Sequence, residues 1–198
     1  MYPLEKMKSF SKSELTGLLI IFFVLIIISV PNFVFSLRRA RDQVRKDDMG
    51  AIVFSLDAYF TDFGIFPPSS LDGRIMACKK PGDTVTKDKE GHLVVNFIPC
   101  DWGVDAITDV TQVNGKIYMH LLPRDPDYKK GASYRYISDG ARFQIYVSLE
   151  GKDEAEYDPK IIARNLLCGN QVCNAARAYA DTATDISLEQ YEAKLMGK

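Results

Sequence analysis

Few residues in this sequence have the type and spacing to do chemistry. The two histidines, His92 and His120, have no partners at ligand-like intervals, and Cys78, Cys100, Cys168 and Cys173 form no C-x-x-C pair. A tetrahedral zinc site therefore lacks its usual framework. No G-x-S-x-G, H-E-x-x-H or phosphate-loop pattern occurs, so no motif marks a nucleophile or an activated water. Catalysis is not expected, and neither is a cofactor. Hard-oxygen chemistry has one candidate. Asp153, Glu154, Glu156 and Asp158 crowd a short loop and offer the donors that calcium takes, without EF-hand spacing. The alternative is a solvated acidic loop.

The remaining chemical group is Glu14, which abuts the stretch LTGLLIIFFVLIIISVPNFVF from Leu15 to Phe35. That run of about 21 uncharged residues would reach roughly 31 Å as a helix, the thickness of a bilayer's hydrocarbon core. A carboxylate drawn into such a layer costs about 2.5 kcal/mol or more at depth and calls for a cationic partner. At the interface it would instead sit at a helix N-terminus, where the helix dipole favours it.

The rest of the chain reads as a water-soluble domain. The 198 residues are 46% hydrophobic and 26% charged, with a net charge of -1. The mean hydropathy is only -0.11 and the pI about 6.1. This balance excludes a polytopic membrane protein and gives no basic field for nucleic acid. Charge around the span is ambiguous. Lys6, Lys8 and Lys12 precede it, while Arg38, Arg39, Arg41, Arg45 and Lys46 follow. Loop charge alone would put the C-terminal side in the cytoplasm. The cysteines favour an oxidising compartment and two bridges. Of three possible connectivities, pairing by proximity (Cys78 with Cys100, Cys168 with Cys173) is expected.

Beyond Pro31 the helical pattern continues. Leu37, Ala40, Val44, Ile52, Leu56, Tyr59, Phe60 and Phe63 form an apolar stripe, with the charges from Arg38 to Asp48 on the solvated faces. Gly64, Pro67 and Pro68 end it. Pro31 and Gly50 are its two weak points. Strands are expected at 92–97, 116–119, 133–137 and 142–149, the last two flanking an Asp139-Gly140 turn. In the tail, Pro159 to Leu167 reads as a short helix, and Ser187 with Gln190 as the capping box of a last one.

Phe10-Ser11-Lys12-Ser13-Glu14-Leu15, the apolar helix and Pro31 together resemble the N-terminal signature of type IV pilins and type II secretion pseudopilins. In that family a short basic leader is removed before a Phe, the fifth mature residue is Glu, and a Pro falls near mature residue 22. A cut between Ser9 and Phe10 puts Glu14 and Pro31 at both offsets, although Ser9 replaces the usual Gly and Lys12 and Ser13 replace apolar residues. The segment from Ala40 to Pro68, the LPRDP piece, the Tyr-x-Tyr strand and the YVSLE end are also similar to the family, so the resemblance covers Phe10 to about Glu150. Major pseudopilins also carry calcium in a loop after the sheet, which is where Asp153 to Asp158 lie.

The resemblance implies an α+β fold: a long N-terminal helix packed on a small antiparallel sheet, with a disulfide-containing, helical C-terminal extension. It divides the chain into a leader (1–9), a transmembrane and filament-core helix (10–36), an amphipathic helix (37–66), a loop and sheet region (67–150) and an extension (151–198). It implies cleavage and N-methylation at Ser9 and Phe10, and assembly through Glu14 and Pro31. Implied partners are identical or related subunits, a prepilin peptidase, an assembly platform and the membrane. The precursor would sit in the inner or cytoplasmic membrane with its domain outside the cytoplasm, and the filament would be extracellular or periplasmic. The competing expectation is a single-span anchored accessory or receptor domain that never polymerises.

Overall fold

A computed structural model describes residues 11–79, 86–87, 89–91, 93–94, 97–112 and 114–197. The fold is α+β, and the chain divides into two compact units, Met1–Ala40 and Arg41–Lys198. Helix α1 (Lys12–Phe63) contributes to both. Thereafter come β1 (Thr86–Lys87), β2 (Leu93–Val94), β3 (Ile107–Thr108), β4 (Ile117–Met119), β5 (Arg135–Ser138), β6 (Phe143–Val147), α2 (Pro159–Ala163), β7 (Leu167–Cys168), β8 (Gln171–Val172), β9 (Ala175–Ala178) and α3 (Leu188–Leu195). Of the strand expected at 92–97, Leu93 and Val94 are in β2, while His92, Val95 and Asn96 lie outside the described residues.

The second unit is built on the antiparallel sheet β5-β6-β9. All five residues of the central strand β6 are buried, and strand alternation sends them to two different cores. Phe143, Ile145 and Val147 pack in the main core with Met49, Ile52, Leu56 and Tyr59 of α1. Tyr146 on the opposite face packs with Ile161 of α2 and the Cys168 and Cys173 pair. Tyr136 of β5 closes the loop before the sheet, donating its hydroxyl proton to the Pro67 carbonyl at 2.9 Å.

Two expectations about the pattern need correction. The stripe over the second unit does not start at Val44, which is 45% exposed, but runs through Arg45, Met49, Ile52, Leu56 and Tyr59. At 100° per residue Val44 lies about 80° around the helix from Ile52, too far to share its face. Asp42 and Arg45, expected on a solvated face, are fully buried. The second correction concerns the tail, which besides its helices and disulfide supplies a strand that the sequence did not suggest: residues 175–178 form the third strand of the sheet and pair with β6. The sequence Ala-Ala-Arg-Ala has no strand propensity of its own. Burial against β6 and the neighbouring disulfide hairpin impose the conformation.

The tail's helices follow their local signals. Asp158 caps α2 by accepting from the Lys160 N–H at 2.8 Å, with Pro159 in the first turn. Asn165 turns the chain at a φ of 52° and directs it into β7 rather than extending the helix to Leu167. The Ser187 and Gln190 capping box is fully formed at α3.

Candidate functional site: the apolar helix and its two polar ends

The first unit contains the one helix among the described residues that is long and apolar enough to cross a membrane. No part of its apolar window is buried within the protein; Ile27 is 69% exposed and Phe33 64%. A core helix of a soluble domain hides such a surface. Here the surface is left open, and the helix is long and apolar enough to anchor the chain in a membrane. Its few polar side chains are closed inward. Thr16 Oγ1 donates to the Lys12 carbonyl at 2.8 Å, Asn32 Nδ2 to the Ile28 carbonyl at 2.9 Å and Ser36 Oγ to the Asn32 carbonyl at 2.9 Å. In a medium without water these i−4 bonds satisfy groups that would otherwise be costly.

Glu14 sits in the first turn, and Ser11 and Glu14 cap each other. The Ser11 N–H donates to Glu14 Oε2 at 2.7 Å, and the Glu14 N–H to Ser11 Oγ at 3.3 Å. This reciprocal pair is the S-x-x-E capping box, present in the sequence but not recognised there. Oε2 is thereby occupied. Oε1 has no partner among the described residues. Ser9 and Phe10 lie outside the described residues.

Pro31 lies inside α1. It has no N–H to offer the carbonyl of Ile27, so one rung of the helical ladder is missing there. Glu14 and Pro31 are about 26 Å apart along the axis at the helical rise. At the far end of the apolar run, Arg38 and Arg39 both place their guanidinium carbons 4.4 Å from the centre of the Phe35 ring, a cation–π arrangement.

At the start of the second unit lies a buried ion cluster. Arg45 donates all five of its N–H groups: to Asp125 at 2.9 and 3.1 Å, to Asp42 at 2.8 Å, to Glu150 at 3.0 Å and to Asp127 at 3.0 Å. Asp42 in turn accepts the backbone N–H groups of Glu150 and Gly151, each at 2.9 Å. Arg41 holds Glu150 from outside with two bonds of 2.6 Å, lowering its pKa against the cost of burial. Lys130 does the same for Asp127. Asp48 is pushed the other way by burial, although the Tyr134 hydroxyl donates to it. Composition could not show this cluster, because its acids come from three separate stretches of the chain. The LPRDP piece supplied Asp125 without its role.

The acidic loop is organised around a lysine. Lys46 Nζ lies 2.9 Å from Glu154 Oε2 and 3.5 Å from Glu156 Oε2, and Asp158 caps α2. Asp153 does not join them in a ligand set: among the described residues no three His, Cys, Asp or Glu side chains are grouped to hold a metal. Cys78 is bonded to Cys100 and Cys168 to Cys173. The first bridge ties down the loop that carries β1 and β2. The second closes the β7–β8 hairpin beneath Tyr146.

No family model, curated protein or solved structure matches this chain.

Proposed function

We propose that this chain is a structural subunit of a filament of the type IV pilus or type II secretion pseudopilus kind, stored in a membrane and assembled through the first part of α1. The observation that carries this reading is the wholly exposed apolar surface from Leu15 to Phe35, bounded at its start by Glu14. Transfer from lipid to a bundle of like helices keeps that surface out of water. It also brings each acidic helix start close to its neighbours. Cleavage before Phe10 would create an amine within a few residues of Glu14, and Oε1 is the oxygen open to receive it from an adjacent subunit. A charge pair in so apolar a setting fixes axial register, because leaving either member alone is costly. The missing rung at Pro31 gives the helix a place to loosen as it packs. Two disulfides suit a domain held outside the reducing cytoplasm.

One observation favours a second reading. Ser11 already satisfies one oxygen of Glu14, as an anchored domain that never polymerises would require. N-terminal sequencing of the membrane-extracted protein separates the two: a chain beginning at Phe10 supports the filament, and one beginning at Met1 the anchor. Glu14→Leu is expected to leave membrane insertion intact and to abolish filaments seen by electron microscopy. Normal filaments from that variant would refute the assembly role of Glu14.

A further inference from the structure

The three-stranded sheet has an uncovered side. Its β5 edge is occupied: the Tyr136 N–H donates to the Gly73 carbonyl at 2.8 Å and the Ser138 N–H to Ser69 Oγ at 3.1 Å. The β9 edge is not. The Tyr179 N–H donates to the Phe143 carbonyl at 3.2 Å, and Arg177 stands opposite Ile145. Antiparallel alternation therefore turns the N–H and C=O groups of Ala176 and Ala178 away from β6. No loop or side chain among the described residues bonds to them. The edge is short and carries one charge, Arg177, but β9 has no proline, bulge or covering loop among the described residues, and its other side chains are alanine methyls.

The ground beside this edge has a definite chemistry. Arg177 is exposed and has no ion pair with any described residue. It lies over α1, where a methyl placed on Gly50 would come 3.2 Å from its Nη1. Phe54, one turn further along α1 and so on the same face, is 78% exposed. The strand's end is held firm, with Tyr179 against Phe66 at 4.8 Å between ring centres. A pre-ordered edge loses little freedom on gaining a strand.

We infer that the β9 edge, with Arg177 and Phe54, is a docking site for an extended segment of a partner protein. The segment adds a fourth antiparallel strand, with an acidic side chain at Arg177 and an apolar one two residues away toward Phe54. Main-chain bonds supply affinity and these two side chains supply choice. A second copy of this chain is the poorer occupant. The two-fold pairing that uses all four outward groups sets Arg177 directly against Arg177, and like charges in that position repel. This inference is independent of how the apolar helix is used.

Backbone amide hydrogen exchange on the full chain in detergent micelles tests it. The probes are a short peptide of alternating threonine and valine with one central glutamate, and its counterpart with lysine. The glutamate peptide is expected to slow exchange at Ala176 and Ala178 about tenfold, and the lysine peptide to leave it unchanged. Arg177→Glu, an exposed change that leaves the core intact, is expected to reverse this preference. Three results would overturn the inference: no slowing with either peptide, equal slowing with both, or slowing that follows protein concentration without peptide, which would make a second copy the occupant.

Discussion

Arg45 and Asp125 meet in a two-pronged bond, Nε to Oδ2 at 2.9 Å and Nη2 to Oδ1 at 3.1 Å, with both side chains closed off from water. The pair joins α1 to a loop eighty residues further along the chain. Asp42, Asp127 and Glu150 complete the ring, so one guanidinium fixes two loops against one helix. Burial alone would weaken the charge on Arg45, but the bonds it donates to Asp125, Glu150 and Asp42 hold it firmly protonated. A group that needs so many partners is a poor contributor to net stability and a strict enforcer of geometry.

Replacing Arg45 should therefore be severe. Arg45→Met leaves several carboxylates without their cation and is expected to cost about 3–5 kcal/mol. Urea unfolding of the variant, followed by circular dichroism, measures this. A loss below about 1 kcal/mol would show that water or the flanking Arg41 substitutes for it.

Acid should loosen the same region. The pKa of Glu150 is lowered in the fold by the Arg41 bonds, and that of Asp127 by Lys130. Their contribution is complete above the ordinary carboxylate range near pH 4 and is lost as the pH falls through their lowered folded values. Asp48 has the opposite sign. Its folded pKa is raised by burial, so its charge opposes folding at neutral pH, and that penalty fades as the pH falls through the raised value. Asp48→Asn keeps an acceptor for Tyr134 and is expected to raise the thermal midpoint at pH 7, with the gain shrinking toward pH 4. A gain that does not change with pH would assign the effect to packing instead.

The two bridges should differ in weight. Cys78 and Cys100 are 22 residues apart, Cys168 and Cys173 only 5. By loop entropy, removing the first pair as serines costs about 3 kcal/mol and the second about 2 kcal/mol. Comparing the denaturation midpoints of the two double variants checks the order. The reverse order would mean that the hairpin bridge acts mainly by packing beneath Tyr146.

Gly169 allows the β7–β8 hairpin to lie against the turn at Gly131. Its φ is +71°, and a methyl there would strike the Gly131 carbonyl oxygen. Gly169→Ala is expected to destabilise the protein by at least about 1–2 kcal/mol from backbone conformation alone. It should also expose the hairpin to proteolysis before the rest of the second unit. Wild-type resistance in a limited digest would contradict this.

Much of the fold could be read locally. The apolar run needed only its composition. The helix ends at Phe63, Asp158 and Ser187 followed Gly64, Pro159 and the capping box, and the β5–β6 hairpin followed aromatic alternation around Asp139-Gly140. Each of these is a short-range signal, decided within a turn or a pair of strands. The capping box of Ser11 and Glu14 is equally local, an S-x-x-E pattern contained in the first turn. Helix periodicity was less secure between Leu37 and Met49, where charged and apolar residues mix.

The amino-acid order by itself thus determined where α1 stops, where α2 and α3 start, which strands form a hairpin, and that the first part of α1 is apolar all round. Only tertiary structure decided that Arg45 is interior, that Lys46 faces Glu154 and Glu156, and that Ala-Ala-Arg-Ala is a strand. These features depend on partners brought together from distant stretches, whose Coulomb and packing energies outweigh local preference. No window along the chain contains both sides of such a contact.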